Sequence, residues 1–509
     1  MSAKEKSIDL LRKGAVWLDE RLYISKLFES TAGHHVPKSS GSWFYVFGSA
    51  TLVCFMVQVV TGIMLALVYV PSAAEAYDTL EYMTYEQPLG WFIRGVHNYG
   101  SLFMVIIMML HMTQVFLWGA YKYPRELTWV TGVILMACTL GMAFTGQVLR
   151  FDQDAYWGLG IGVAIMGRIP LIGENLIHLM LGGPNIGGET LTRFFALHVF
   201  ILPGTIIAIV SMHLRLVLTK GINEYPKPGH QVNPKTYDAE YATIIKREGV
   251  PFVPKAINKD LVASAVVIFG ILACAAFLGP KGPEGIPNPT YIDTIPRPDT
   301  PFLWIFAVAA LIPPYMEAFV LLVMPAIVGL IVIALPFYNG TGEKHYSRRP
   351  VAVCIVIISW VSLLALTYLG QTSPWSPLMN AWSKDETPPE FIEGRSPLEL
   401  QGSLVLQEQQ CRNCHAIDGI GGHRGPDLAA VGTRLTIPQL TRQVIQGGGN
   451  MPAYGKNLSP AEVDALVSYL ASLRPKGVPP ARDSTVPGEP ALTEQPEDSG
   501  KPLAAAASD

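Results

Sequence analysis

Long apolar runs separated by short polar stretches dominate the chain up to about residue 370. Seven of them, at about residues 43–69, 94–118, 127–148, 195–219, 261–279, 316–337 and 351–369, are long enough to cross a membrane as helices. A run at 301–313 is shorter and flanked by prolines, which predicts an interfacial segment. Residues 1–41 mix charge with an amphipathic pattern (IDLLRKGAVWLDERLYISKLFES) and lack the apolar centre and cleavage site of a secretion signal. They predict a helix lying on the membrane surface. After residue 370 the pattern changes: 371–400 is polar and proline-bearing, as a linker would be, and 401–474 reads as a small soluble domain. The remainder, 475–509, is rich in Pro, Ala, Glu and Ser with almost no large apolar side chain, which predicts disorder.

Composition agrees with this reading. Of 509 residues, 50% are hydrophobic and 15% charged, the balance of a membrane protein. A formal net charge of −3 gives no electrostatic reason to expect a nucleic-acid partner, and none is expected. The loops set the orientation. Residues 70–93 contain no Lys or Arg, whereas 219–260 contain seven and 338–350 contain Lys344, Arg348 and Arg349. The N-terminus is therefore expected in the cytoplasm and, after seven crossings, the C-terminal domain outside it. Cys54, Cys138, Cys274 and Cys354 are single residues in apolar runs, where a small buried hydrophobe is the expected role.

Two of the apolar runs each carry a pair of histidines: His97 and His111 in one, His198 and His213 in the other. Fourteen residues advance a helix by four turns less about 40°, and fifteen by four turns plus about 60°, so each pair lies on roughly one face. At ~1.5 Å per residue, the members of a pair stand ~21 Å apart. Two such helices side by side make two bis-histidine sites, one near each membrane surface, of the kind that holds a haem. The competing reading is histidines satisfied inside a bundle, but ionisable groups in spanning segments are costly, and four at matched spacing favour ligation. Gly48 and Gly62, and Gly132 and Gly146, repeat the 14-residue interval in two other runs. They leave bare backbone at two depths, where a flat ring has room to lie.

Cys411-Arg-Asn-Cys414-His415 has the form of a c-type haem attachment sequence, with two thioether links and an axial histidine. A zinc-binding or disulfide-forming CxxC is the alternative, but no second Cys/His cluster follows, and a methionine does. Met451 precedes a helical pattern at Ser459–Leu473. The order of a helix, CxxCH, a Gly425-Pro-Asp-Leu428 turn, a Met-Pro loop and a final helix resembles small class I cytochromes c. That resemblance makes Met451 the second axial ligand.

Residues from about 15 to 370 resemble cytochrome b of the respiratory and photosynthetic cytochrome bc complexes. The matching text includes YPRELTWVTG (Tyr123–Gly132) and TLTRFFALH (Thr190–His198). Fourteen residues, rather than thirteen, between His198 and His213 match the chloroplast-type branch, and 280–337 resembles that branch's usually separate second subunit. The implied fold is an all-α membrane protein. After the surface helix at 1–41 come a four-helix haem-binding bundle (42–220), three further transmembrane helices (221–370), a linker (371–400), a small all-α cytochrome c domain (401–474) and the tail (475–509). The implied cofactors are two non-covalent b haems, one at His97 and His198 on the outer side and one at His111 and His213 on the inner side. One c haem would be covalently held at Cys411 and Cys414.

Arg94 and Arg193, at the outer ends of the histidine helices, are placed either to neutralise haem propionates, as the resemblance suggests, or simply to snorkel to the interface. The family's Pro-Glu-Trp-Tyr quartet, whose glutamate takes protons from quinol, falls here at Pro298-Asp-Thr-Pro301. Asp299 is therefore a candidate proton acceptor, or alternatively the cap of a short helix that Pro301 begins. Where the chloroplast branch has a cysteine that tethers an extra haem, this chain has Val46, so no covalent third haem is expected. His34, His35, His178, His230, His345 and His423 receive no role.

The resemblance implies the cytochrome b core of a quinol-oxidising, proton-translocating complex of quinol:cytochrome c oxidoreductase type. It implies a separate Rieske iron-sulfur partner, since no Rieske boxes occur in this chain, a downstream electron acceptor, and a homodimer. The location implied is a bacterial inner or intracytoplasmic membrane. A haem wire that passes electrons between a dehydrogenase and the c domain, without quinol chemistry, is the alternative, and reversed flow to quinone a variant.

Overall fold

The computed structural model describes residues 3–31, 33–167, 169, 171–182, 186–288, 297–312, 316–372, 387–421, 425–447, 451, 454–455 and 457–481. Residues 373–386 of the expected linker, most of the expected tail, and His423 lie outside the described residues. The chain divides into two compact units, one of residues 1–379 with Gly447–Ala453, the other of 380–446 with 454–509.

In the first unit, among the described residues, seven helices are long and apolar enough to cross a membrane: Phe47–Ala66, Gly90–Leu117, Glu126–Leu149, Gly188–Lys220, Phe252–Leu278, Phe319–Tyr338 and Pro350–Thr372. They stand where hydropathy predicts them, and are numbered here as spans one to seven. The short helix Leu303–Leu311 corresponds to the proline-flanked run. Span one packs on span two, and span three on span four. Ala50, Cys54, Phe55, Met104, Ile107, Met108, Leu135, Ile206, Ile271 and Ala275 form the core between spans one to five. Span five approaches span two closely at Gly95, where an added Cβ would lie 3.1 Å from that of Ala275. Small residues let helix backbones approach where no water drives them together. Large apolar side chains on the later spans face outward, among them Phe269, Phe277 and Leu330, as lipid-facing positions do. Before the spans, helices Ala3–Leu22 and Ile24–Thr31 carry exposed apolar side chains including Trp17, Leu22 and Phe28.

Two short antiparallel ladders tie the segment before span one and the loops after spans four and six. His35–Pro37 pairs with Gly249–Pro251, and Gln231–Val232 with Gly342–Glu343. Three loop histidines have structural partners: His34 stacks on Phe252, His230 pairs with Glu240 at 3.0 Å, and His345 accepts from the Ser347 amide at 3.1 Å. Deeper lies a charged cluster. Lys344 Nζ meets Glu224 Oε1 at 2.7 Å and also Asn223 Oδ1, while Tyr237 donates to Glu224 Oε2 at 2.8 Å and Arg125 donates to the Tyr237 oxygen at 2.7 Å. Lys344 is 1% and Glu224 6% exposed, so this buried cluster binds the entry to span three, the exit of span four and the loop between spans six and seven. Burial alone would raise the Glu224 carboxyl, but Lys344 and Arg125 outweigh it and hold the group below its ordinary range.

The second unit is a small helical domain. Helices Pro397–Glu408 and Pro460–Ser472 each begin at a capping box, Ser396 with Glu399 and Ser459 with Glu462. They cross at Gly402, where a Cβ would fall 2.0 Å from the Ala465 carbonyl oxygen. Val405, Leu406, Leu466, Tyr469 and Leu470 are buried in this domain.

Glu224→Gln leaves the Lys344 ammonium buried without its counter-charge, a defect worth about 3–5 kcal/mol. Thermal unfolding followed by circular dichroism should show a lower midpoint at neutral pH. The difference between variant and parent should shrink as pH falls below about 4.5, because a carboxyl held low in the folded state stabilises it only while ionised.

Candidate electron-transfer site

The four span histidines meet in the expected pairs. His97 and His198 face each other with ring centroids 6.3 Å apart and planes at 75°. Two metal–imidazole bonds of about 2 Å each, in line, with the half-widths of two rings, span about 6 Å, so the gap fits a single iron between the rings. His111 and His213 are likewise electrostatic neighbours.

The glycines lie opposite these rings. A Cβ on Gly62 would come 3.2 Å from the His97 ring, on Gly146 2.8 Å from His198, on Gly48 3.3 Å from His111 and on Gly132 3.5 Å from His213. Span one thus serves both histidines of span two, and span three both of span four. Residues at these positions fit a flat group that needs bare backbone beside each ligand.

The unequal histidine spacing is reconciled by a π-turn at Leu197–Ile201, which contains His198. A π-turn takes one residue more than an α-turn. The extra residue is absorbed there, and the rest of the interval keeps the phase of the 14-residue pair. Pro203 follows at the start of the next α-helical stretch and has no amide to donate back into that turn.

Three threonines, each immediately before one of the glycines, complete the arrangement. Thr61 Oγ1 lies 2.8 Å from His97 Nδ1, Thr131 Oγ1 2.9 Å from His213 Nδ1, and Thr145 Oγ1 2.9 Å from His198 Nδ1. Each hydroxyl donates its only proton to a carbonyl one turn earlier, of Val57, Leu127 or Gly141. It therefore accepts from the imidazole, which fixes the proton on Nδ1 and leaves Nε2 unprotonated. Sequence reasoning missed these residues, although the repeated Thr-Gly dipeptide was the signal.

At the start of span two, Arg94 is 7% exposed and donates to the carbonyls of Lys281 at 2.9 Å and Gly282 at 3.3 Å, and to Thr84 Oγ1. It fastens the segment after span five to the end of span two. Arg193 is exposed, with the Glu189 carbonyl 3.5 Å from its Nη1. Asp299 begins the turn Thr300–Phe302, but its side chain does not cap it. Asp299 Oδ1 instead accepts from Arg150 at 3.0 Å and Lys281 at 2.9 Å, while its amide donates to Gln147 at 3.1 Å. Burial alone would lower Arg150, but Asp299 and Asp152 outweigh it and hold it above its ordinary value. Asp154, four residues past Arg150, is pushed up by burial, a second carboxyl that sequence reasoning passed over. Just before span one Val46 is buried, and Tyr45 and Tyr225 pack against Trp118 at 4.9 and 5.3 Å.

In the second unit, Cys411 opens the turn Cys411–Asn413 and Cys414 follows it, neither in a disulfide, and burial pushes Cys411 up to about 12. His415 Nδ1 donates to the Pro426 carbonyl at 2.8 Å, so Nε2 again is the free nitrogen. A Cβ on Gly425 would fall 2.3 Å from the His415 ring. Asp427 accepts from the amides of Gly419 and Ala429, each at 2.7 Å, and so braces the ligand turn. Met451 is half-buried.

Comparison with known proteins finds cytochrome relatives for both parts of the chain. Residues 33–221 match the family described as cytochrome b/b6/petB, and residues 401–470 the family described as cytochrome c oxidase, cbb3-type, subunit III. The chain is 40% identical to cytochrome b6 of Synechococcus elongatus over 207 residues, 41% of this chain and 96% of that protein. Identity to the cytochrome b6 of Auxenochlorella protothecoides is the same over the same coverage. A chain of a solved hyperthermophilic respiratory Complex III superposes with a TM-score of 0.60 at 30% identity, covering 70% of this chain and 91% of that one.

Gly146→Val brings branched carbon against the His198 ring. The expected result is loss of one b-type absorbance component with the c-type component intact, read by dithionite-reduced spectra; retention of full b-type absorbance would mean the ring gap is not the binding gap.

Proposed function

Because the chain belongs to the cytochrome b/b6 family of bc-type complexes and carries a cytochrome c domain, we propose that it is the quinol-oxidising core of a proton-translocating complex of quinol:cytochrome c oxidoreductase type. The observation that carries this reading is the facing of His97 and His198 at 6.3 Å, flanked by Gly62 and Gly146. A haem bound at each histidine pair, and one at Cys411, Cys414 and His415 with Met451, would supply one-electron exchange.

The chain's own residues would act as follows. His97 with His198, and His111 with His213, present Nε2 lone pairs at two depths and so define a conduit across the membrane. Glycines 48, 62, 132 and 146 keep the ring gaps clear. Quinol would be oxidised near the outer surface, between the 149–190 and 280–315 regions. There Asp299 is the proposed proton acceptor, held in place through Oδ1 by Arg150 and Lys281. One electron would leave to a separate Rieske protein and on to the c domain, the other would cross to the inner side and reduce quinone. Arg94 and Arg193 are proposed to face haem propionates, with Arg94 also anchoring the 281–282 segment. The N-terminus and inner loops would be cytoplasmic, the c domain extracytoplasmic, in a bacterial membrane, and the complex a homodimer that passes electrons to a further acceptor.

Purification from native membranes followed by quinol addition tests this reading against the haem wire. A Rieske protein should copurify, and an inhibitor of the outer quinol site should stop reduction of the c haem. Absence of that partner, with reduction continuing under inhibitor, would establish the wire.

A further inference from the structure

The pseudo-symmetry of the four histidine environments is broken at one place. Thr61-Gly62, Thr131-Gly132 and Thr145-Gly146 each give a histidine both an open face and an acceptor for its Nδ1 proton. The fourth dipeptide is Phe47-Gly48. Its glycine lies 3.3 Å from the His111 ring as the others do, measured from an added Cβ, but its neighbour has no hydroxyl. Among the described residues His111 Nδ1 is buried and has no hydrogen-bond partner. His213, its opposite number, has Thr131, with the backbone at Thr128 beside it.

Resting on the bis-histidine reading above, we propose that Thr61, Thr131 and Thr145 are positioning residues that raise the donor strength of their imidazoles, and that Phe47 withholds this from His111. An imidazole whose Nδ1–H is hydrogen-bonded is a more basic ligand, and a more basic ligand favours the oxidised metal. The outer pair therefore carries two strengthened ligands and the inner pair one. The difference favours the reduced state at the inner pair, so this set of side chains itself biases an electron to move inward. Phe47 is kept at the position by packing: it lies against the core between spans one to five.

The test is an optical redox titration of the purified full chain, with four variants. Thr145→Val keeps the side-chain shape and removes the hydroxyl, and should move one b-haem midpoint positive. Thr131→Val should do the same to the other haem. A hydrogen bond of ordinary strength corresponds to about a tenfold change in the reduced-to-oxidised ratio at fixed ambient potential, or about 59 mV for one electron. Thr131→Ser should restore the parent value, which a purely steric role for the methyl group would not. Phe47→Thr should move the inner midpoint negative; should that variant fail to fold, the two valine variants decide the matter alone. Unshifted midpoints in valine variants that retain their haems would overturn the proposal while leaving the bis-histidine reading intact. Absence of b haem from the parent chain would overturn both.

Discussion

A neutral imidazole offers a metal only the nitrogen that carries no proton, so a bis-histidine site depends on where each proton is held. Here the threonine hydroxyls at positions 61, 131 and 145 decide it, because each has already donated its own proton to its helix. Burying polar groups in a membrane interior is tolerable when every donor finds an acceptor. The arrangement turns that requirement to use: satisfying Nδ1 is also what aims Nε2 across the gap. The glycines perform the complementary task of leaving that gap open on the other side of each ring.

The rest of the membrane unit serves to hold these two helix pairs at fixed depth and rotation. Span five closes on span two through Gly95 and Ala275, and the charged cluster around Glu224 and Lys344 locks the entry to span three to the exit of span four. At the other end of span three, Arg94 and the Arg150, Lys281 and Asp299 contacts join the segment after span five to spans two and three. Both clusters connect the part resembling cytochrome b6 with the part that follows it. Their polar groups are buried and largely paired, which suits segments whose relative placement must not drift.

Much of this was legible in the sequence because it rests on local periodicity. Apolar run length yields the seven spans, and the intervals of 14 and 15 residues yield the two histidine pairs, with the glycines repeating at 14. The absorbed residue at Leu197–Ile201 was not legible, since a π-turn depends on which amide bonds which carbonyl, and hydropathy is blind to that. Nor were the partners of Asp299: Arg150 lies 149 positions away, so neither the capping reading nor bare proton acceptance anticipated the ion pairs. Arg94 illustrates the same limit, its guanidinium meeting carbonyls 187 and 188 residues further on. The threonines were visible but unread, because a Thr-Gly pair acquires meaning only when a histidine from another helix arrives opposite it.

The measurement that bears most directly on the central claim is a pyridine haemochrome assay on the purified full-length chain, which counts haem by type without assuming any activity. Two facing imidazole pairs and one CxxCH turn require two b haems for each c haem. A ratio of one to one, or b haem absent altogether, would contradict the account.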